Sequence, residues 1–546
     1  MEGREWGLGP DDGFCRLSSS LIEGIRAGYL QWPSKIMVAG SYESVTYADA
    51  YYRSLALARI MRERWGIDSD STVLFSAHNV CWYPVVVAAV QMCGARLVLV
   101  TGAAEAQDFK GAIGLMRPDL AVVSCLEHDE IFEEMAPCIA RASLTYVSRQ
   151  APCLEDMVAR AMNEGRFMEG APPSDSEIVL FSSGSTGAPK AIVNRSSSFR
   201  RSGLAQAEVL RATADDVCYI PVPFSHTYGV VSLYTAIEHG CTVATNTKYR
   251  PDVSLATVSS LRATLYFGVP TMYLRELAAN DEGSWDVSCL RAGLVAGSSC
   301  PKSVFADYED RYGCVLVQCY GMTETAATLT VGSLDEPCSA RACTVGRPIP
   351  GARIALSPET KEIICSTPSM MSGIVRSDGT LDPSVDECGW FHTGDVGSID
   401  AEGRLVITGR IKDMIIRGGI NIFPAEVENA YQDCSAVAAS CVVGYPDPEL
   451  GERTCLCVVP AANAEMSSCE LRSFAKGKLE KCKIPDVVLK MEDLPRLGNG
   501  KIDKKALREW ALATLEQSSI QKKRSERREG HDHGDSKQGG AFPPVR

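Results

Sequence analysis

From Ser44 onward, short apolar runs alternate with helix-length segments, and that rhythm restricts the chain to a few architectures. A helix over Tyr47–Trp65 precedes a strand at Thr72–Ser76, a helix through Val85–Met92, and strands at Arg96–Val100 and Leu120–Ser124. Strands separated by helices at this spacing form βαβ units, with parallel strands side by side and helices covering the sheet. The pattern resumes with a helix around Ser198–Leu210 and strands at Val217–Val222, Thr242–Thr245, Ala263–Phe267, Leu290–Ala296 and Cys314–Cys319. A chain of 546 residues exceeds what one core serves, and 45% apolar residues suffice for several cores.

After about Gly346 the strands shorten and Gly, Pro and Asp turns separate them: Gly351–Leu356, Glu362–Ser366, Gly397–Asp400 and Arg404–Ile407. That texture is antiparallel. A last segment mixes helices at Pro424–Cys434 and Ser467–Cys482 with strands at Val437–Gly444, Thr454–Val459 and Val487–Met491. The expected fold is therefore α/β. A large N-terminal domain (1–411) holds two α/β subdomains and a β-rich subdomain, a small α+β C-terminal domain follows (412–515), and the charged 516–546 segment reads as a disordered tail.

The net charge of −13 supplies no broad basic field, which argues against a nucleic-acid partner or an anionic-membrane surface. The longest apolar stretch, Tyr83 to Val100, is broken by Gln91, Gly94, Ala95 and Arg96, so no membrane span is expected. The 22 cysteines include no Cys-x-x-Cys pair and mostly sit in apolar runs, where they read as small buried hydrophobes in a reducing compartment. The acidic start Met1-Glu-Gly-Arg-Glu5 lacks the basic region and apolar core of a secretory signal, so a cytoplasmic location is expected.

Chemistry first appears at Phe181-Ser-Ser-Gly-Ser-Thr-Gly-Ala-Pro-Lys190. Gly184 and Gly187 let backbone N–H groups approach an anion, Ser182, Ser183, Ser185 and Thr186 add hydroxyl donors, and Lys190 adds a point charge. The stretch reads as a phosphate grip, although such a cluster taken alone is also the composition of a flexible turn. It is not the usual P-loop, because Ala188 and Pro189 separate the second glycine from the lysine and no Ser or Thr follows.

Further motifs follow in order: Pro223-Phe-Ser-His-Thr-Tyr-Gly229; Tyr320-Gly-Met-Thr-Glu324; Gly389-Trp-Phe-His-Thr-Gly-Asp395 with Gly409-Arg-Ile-Lys-Asp413; and Pro495-Arg-Leu-Gly-Asn-Gly-Lys501. Together with the phosphate grip, this set resembles the adenylate-forming superfamily of acyl- and aryl-CoA ligases, luciferases and peptide-synthetase adenylation domains, and is most like an acyl- or aryl-CoA ligase. The resemblance implies activation of a carboxylate by ATP to an acyl-AMP with release of pyrophosphate, then transfer of the acyl group to a thiol.

It also implies residue roles. Ser182–Gly187 and Lys190 would hold the β- and γ-phosphates. Glu324 would hold Mg²⁺, with Thr186 as a second metal contact, and Thr323 would touch the α-phosphate. Gly297, Ser298 and Ser299 with Tyr320 and Gly321 would enclose the adenine. Relatives often carry a further glycine and an alanine where Ser298 and Ser299 stand. Asp395 and Arg410 would take the ribose hydroxyls. Lys501 would bridge the substrate carboxylate and the α-phosphate. Lys412 would be the hinge about which a mobile C-terminal domain turns, and Gly418 and Gly419 would then border the thiol tunnel. His226 would gate that tunnel, and Tyr228, Gly229, Val269, Met272 and Met322 would line the acyl pocket.

No aspartate lies between Pro221 and Leu233 to pair with an ammonium, so the expected substrate is a carboxylic acid without a free α-amino group. The expected acceptor is coenzyme A, since no carrier domain follows the small domain. Two other readings stay open: an enzyme loading the phosphopantetheine of a separate carrier protein, and a silent nucleotide-binding regulatory protein.

Overall fold

The structure, a computed structural model, describes residues 6–7, 20–144, 151–170, 175–182, 190–280, 283–432, 434–461, 464, 466–496 and 502–517. The chain divides into two compact units, Met1–Ile407 and Thr408–Arg546.

Among the described residues, the first unit contains an eight-stranded sheet. From edge to edge it runs Leu381–Asp382, Gly373–Val375, Lys190–Arg195, Glu177–Ser182, Arg96–Thr101, Thr72–Ala77, Leu120–Val123 and Ala140–Ser143. A nine-stranded sheet runs Arg347–Pro348, Thr330–Val331, Val315–Tyr320, Ala292–Val295, Leu265–Gly268, Val217–Tyr219, Thr242–Ala244, Ile36–Ala39 and Ser44–Thr46. Both are parallel at the centre, as the βαβ rhythm requires; the second turns antiparallel at both edges, whereas the first does so only on the side of Lys190–Arg195 and stays parallel out to Ala140–Ser143.

Side-chain alternation makes these sheets the inner layers of a five-layer αβαβα stack. In Thr72–Ala77, Val73 and Phe75 enter one core while Leu74 enters another. The central core also holds Val38, Leu294 and Val317 from the second sheet and the helices Leu21–Gln31, Tyr47–Trp65, Tyr83–Cys93, Ser196–Leu210 and Thr227–Glu238. Every residue of Tyr83–Cys93 is buried, because a helix between two sheets has no solvent face. Helices Ala106–Met116 and Leu126–Met135 cover the far face of the first sheet. Pro251–Ser260, Pro270–Ala279 and Lys302–Tyr312 cover that of the second.

Local chemistry sets the boundaries. Thr46 and Asp49 form a reciprocal cap at the start of Tyr47–Trp65, and Gly66 ends that helix at φ 67°. A third, antiparallel sheet of Trp6–Gly7, Arg353–Leu356, Glu362–Ser366, Phe391–Ile399 and Leu405–Arg410 forms the β-rich subdomain.

The second unit packs Val437–Asp447 against Gly451–Pro460, with Val487–Lys490 parallel to the latter and the hairpin Ile415–Arg417/Ile420–Ile422 beyond it. Helix Pro424–Ala430 and helical residues 504–517 complete an α+β arrangement. The helix expected over Ser467–Cys482 stops at Phe474. Gly477 lies at φ 85° and Lys476 bridges to Leu479, so the chain turns where a longer helix was expected. The hairpin and the helices Leu21–Gln31 and Leu154–Asn163 were not anticipated from sequence.

All described cysteines are free thiols. No helix among the described residues is long and apolar enough to cross a membrane. Of the segment expected to be a tail, 516–546, residues from 518 onward lie outside the described residues.

Candidate functional site

The phosphate-grip stretch leaves the first sheet at Ser182 and re-enters it at Lys190, and these two residues face each other as the last pair of an antiparallel ladder. Ser182 is half-buried and Lys190 exposed. Ser183, Gly184, Ser185, Thr186 and Gly187 lie outside the described residues, as does Lys501.

Beyond Tyr320, at the carboxyl end of a central strand of the second sheet, the backbone folds back on itself. Ala327 N–H donates to Met322 O at 3.0 Å, Leu329 N–H to Tyr320 O at 2.8 Å, and Thr325 N–H to Met322 O at 3.1 Å. The return passes so close that a Cβ on Gly321 would lie 2.2 Å from the Ala327 carbonyl oxygen. Ala326 and Ala327 sit at φ 48° and 77°, a region that non-glycine residues enter at a cost of order 1–3 kcal/mol. The strained loop presents Thr323, buried, and Glu324, half-buried, on one short turn. Glu324 is anchored through its carbonyl, which accepts from Met371 N–H at 2.8 Å. Ligands collect at such strand ends in open α/β sheets.

Asp395 reaches the same loop from the third sheet. Its carboxylate is buried, 3% exposed, and Oδ2 accepts the Tyr320 hydroxyl at 2.8 Å. Burial, and then the Asp395 charge, push the Tyr320 phenol well above its ordinary pKa, so it stays a donor. Asp395 sits in a bulge: Glu362 pairs with Val396 and Ile364 with His392, leaving Thr393, Gly394 and Asp395 opposite Ile363 alone. Gly394 takes φ 72° to allow it. Thus Tyr320, Gly321, Thr323, Glu324 and Asp395 are brought together.

Gly297, at φ 90°, opens the exposed turn that carries Ser298 and Ser299, and the Val269 side chain lies beside it, 3.5 Å from where a Cβ would stand. His226 caps helix Thr227–Glu238, its Nδ1 accepting from Tyr228 N–H at 3.4 Å. Tyr228 crosses from that helix to the second sheet and donates to Leu294 O at 2.6 Å, a carbonyl that also accepts from the Tyr273 hydroxyl at 3.1 Å. Gly229 is required for close approach: a Cβ there would meet the Pro223 carbonyl oxygen at 2.0 Å. Met272 accepts from the Tyr249 hydroxyl through its carbonyl, and Met322 packs on the core of the third sheet.

In the second unit, Arg410 ends Leu405–Arg410 and the exposed Lys412 lies in the turn Ile411–Asp413. Lys504 Nζ donates to Asp413 Oδ2 at 2.9 Å. Gly418 and Gly419, at φ 57° and 80°, make the two-residue turn of the hairpin, where positive φ at both central positions matches strand twist. Arg417 beside them is held by Asp486 through two bonds of 3.0 and 2.9 Å.

Two carboxylates of the first unit escaped sequence reasoning. Glu362, on Glu362–Ser366, accepts from the Gly394 amide and from His392. Glu276 is fully buried on the outer face of the second sheet, where Ser254, Tyr266 and Tyr308 hydroxyls donate to it at 2.5, 2.6 and 3.1 Å. Nothing in their local sequence marks either, since each takes its partners from distant segments. Among the described residues no group of His, Cys, Asp and Glu gathers as a ready-made metal cage.

Comparison with known proteins places this geometry. The AMP-binding enzyme family matches residues 26–375, and the AMP-binding enzyme C-terminal domain matches residues 426–501. The putative acyl-CoA synthetase YngI of Bacillus subtilis is 31% identical over 381 residues, covering 67% of this chain and 69% of that protein. The feruloyl-CoA synthase of an Amycolatopsis species is 35% identical over 61% of this chain and 69% of its own length. The medium-chain fatty-acid–CoA ligase of Escherichia coli is 28% identical over 89% of each chain. Among solved structures, the amide bond synthetase McbA from Marinactinospora thermotolerans superposes with a TM-score of 0.79 at 26% identity, over 90% of this chain and 99% of that one. ATP-bound MatB from Rhodopseudomonas palustris gives 0.79 at 25%, with the same coverage. The chain belongs to the AMP-binding, adenylate-forming enzyme family.

Proposed function

We propose that the chain is an ATP-dependent, AMP-forming acid–thiol ligase that makes an acyl-AMP from a carboxylic acid lacking an α-amino group and passes the acyl group to coenzyme A. The observation that carries the reading is the Thr323–Glu324 turn tied through Tyr320 to the buried Asp395. The Thr323 hydroxyl can donate to an anion, the Glu324 carboxylate can hold a cation that neutralises it, and the buried Asp395 carboxylate can accept from a diol, which together suit a ligand that is anionic at one end and a diol at the other. The relatives named as acyl-CoA synthetase, feruloyl-CoA synthase and fatty-acid–CoA ligase support the thiol acceptor.

In the first half-reaction a substrate carboxylate oxygen bonds to the α-phosphorus as the bond to pyrophosphate breaks. Ser182–Gly187 and Lys190 hold the departing phosphates, Thr323 contacts the α-phosphate and Asp395 with Arg410 takes the ribose hydroxyls. Lys501 brings the two reacting anions together, and such a group contributes about 3–4 kcal/mol to a transition state. Glu324, a partly exposed hard oxygen donor beside Thr323, fits Mg²⁺ chemically, with Thr186 as the second contact. Bound Mg²⁺ offsets phosphate charge. In the second half-reaction the thiol sulfur bonds to the acyl carbon, AMP leaves and the thiol proton passes to solvent. We assign nucleotide and acid binding to domain 1–411 and a mobile role in both half-reactions to domain 412–515, with Lys412 as hinge, His226 as gate and Gly418–Gly419 bordering the thiol path. Tyr228, Gly229, Val269, Met272 and Met322 line the acid's pocket, and Gly297–Ser299 border the base.

The test is a screen of fatty, aryl and alicyclic acids with ATP, Mg²⁺ and coenzyme A, read by pyrophosphate release and mass spectrometry. Acyl-CoA is the expected product. Accumulation of acyl-AMP without acyl-CoA would refute coenzyme A as acceptor, and preference for a proteinogenic amino acid would refute the substrate class.

A further inference from the structure

The bulge that carries Asp395 is held by a side chain outside every motif that marked the site. Three residues of Phe391–Ile399 stand opposite one residue of Glu362–Ser366, so the bulge amides lack ladder partners and must be satisfied otherwise. Glu362 does this for Gly394: its Oε1 accepts the Gly394 N–H at 2.9 Å, while Oε2 lies 2.9 Å from His392 Nδ1. One carboxylate, its side chain 13% exposed, therefore grips both shoulders of the bulge. Thr393 completes the brace by donating to Ile363 O at 2.7 Å and accepting from Asp395 N–H at 3.1 Å.

His392 is itself bracketed. Its Nε2 lies 3.4 Å from Asp386 Oδ2, and Asp386 Oδ1 accepts the Cys388 and Trp390 amides at 2.9 Å each. Carboxylates face both ring nitrogens, so both nitrogens donate and the imidazolium is favoured. The Glu362 bond is the leading cause of its raised pKa. The chain Asp386–His392–Glu362–Gly394 spans the turn before the bulge and the bulge itself.

We propose that Glu362 is a positioning residue for nucleotide binding: by holding Gly394 and His392 it sets the bulge that aims Asp395 at the ribose. The proposal rests on the reading of Asp395 as the ribose acceptor. Glu362 touches no ligand in this scheme and acts only through the backbone it fixes. Its removal should therefore weaken binding through the ribose hydroxyls specifically, in proportion to how far Asp395 loses its aim.

The experiment is calorimetric titration of the full chain with Mg–ATP and with its 2′-deoxy and 3′-deoxy analogues, which needs no knowledge of the acid. In the wild-type protein at least one deoxy analogue should bind about tenfold or more weaker than ATP, the range of a hydrogen bond to a charged group. In Glu362→Ala, ATP should bind about tenfold weaker and the deoxy penalty should shrink below about threefold, because the lost hydroxyl was no longer well met. Glu362→Gln keeps an oxygen for Gly394 and should restore most of the penalty. His392→Leu, at a half-exposed position that tests the brace without emptying the bulge, should reduce the penalty about two- to threefold. A wild-type penalty that persists in Glu362→Ala, or in His392→Leu if Glu362→Ala does not fold, overturns the proposal. A wild-type protein that binds ATP but shows no deoxy penalty overturns the ribose reading of Asp395, and this proposal with it.

Discussion

The Tyr320 hydroxyl donates to Oδ2 of Asp395 across 2.8 Å and so joins the loop presenting Thr323 and Glu324, on one sheet, to a bulge on another. The bond ties the two halves of the proposed nucleotide site through one buried contact. Tyr320→Phe keeps the ring and removes the donor, leaving a buried carboxylate with one partner fewer. A cost of about 1 kcal/mol predicts a rise of about fivefold in the ATP KM with little change in kcat. Steady-state pyrophosphate release checks it, and an unchanged KM would show that the bond does not organise the site.

Lys501→Ala separates the half-reactions. Loss of one charge-stabilising group predicts a fall of roughly 10²–10³-fold in acyl-AMP formation, while supplied acyl-AMP is still converted to thioester at near wild-type rate. Equal loss in both assays would contradict the two-step use of the C-terminal domain.

Gly229→Ala would drive a methyl group against the Pro223 carbonyl at 2.0 Å, a backbone atom that cannot swing aside. Overpacking of this kind costs about 1–3 kcal/mol. The expected outcome is a lower denaturant midpoint and a displaced His226 segment. Gly66→Ala provides the contrast, since nothing lies within 4 Å of a Cβ there and only the left-handed backbone is penalised.

Glu276 predicts a pH effect on stability. Burial lifts its carboxyl from 4.5 to about 7. The folded protein keeps the proton to higher pH than the unfolded chain, so raising the pH from about 4.5 ionises the unfolded chain first and removes stability until the folded group also ionises near 7. The span amounts to roughly 3 kcal/mol. Glu276→Gln should flatten this part of the pH–stability curve. Parallel curves for the two proteins would mean that the carboxyl ionises normally in its tyrosine cage.

His392 should titrate above the ordinary imidazole value, because Glu362 and then Asp386 favour its charged form. Its contribution to the bulge is complete below that ordinary value and is lost as pH climbs through the raised one. Histidine NMR resolves this, and Glu362→Gln should return the midpoint toward about 6.5. An unshifted midpoint in the wild-type protein would remove the ionic part of the brace.

The αβ rhythm was legible because its determinants are local. Tyr47–Trp65 begins at a Thr–Asp capping pair and ends at a glycine, all within one segment, and the helix lies where sequence expected it. The helix Ser468–Phe474 is shorter than expected because the pattern of apolar residues continues past Gly477 while the helical backbone does not. Tyr320 and Asp395 could be named from their motifs, yet their contact could not, since it joins different sheets. Glu362 was invisible as a functional residue for the same reason: what it does depends on a register shift, and a register shift leaves no mark in one strand's sequence.

The interleaving of the second sheet carries a kinetic cost. Ile36–Ala39 pairs in parallel with Thr242–Ala244, Val38 opposite Val243, so an early strand finds its neighbour only after six of the first sheet's eight strands, Thr72–Ala77 through Lys190–Arg195, have been made. At about 5–20 residues per second of synthesis that wait lasts on the order of 10–40 s, during which an apolar strand has only its short hairpin partner Ser44–Thr46. Long-range parallel pairing of this kind is slow and exposes edges. Yield in cells should therefore depend on translation speed and chaperone supply more steeply than the stability of the finished protein would suggest.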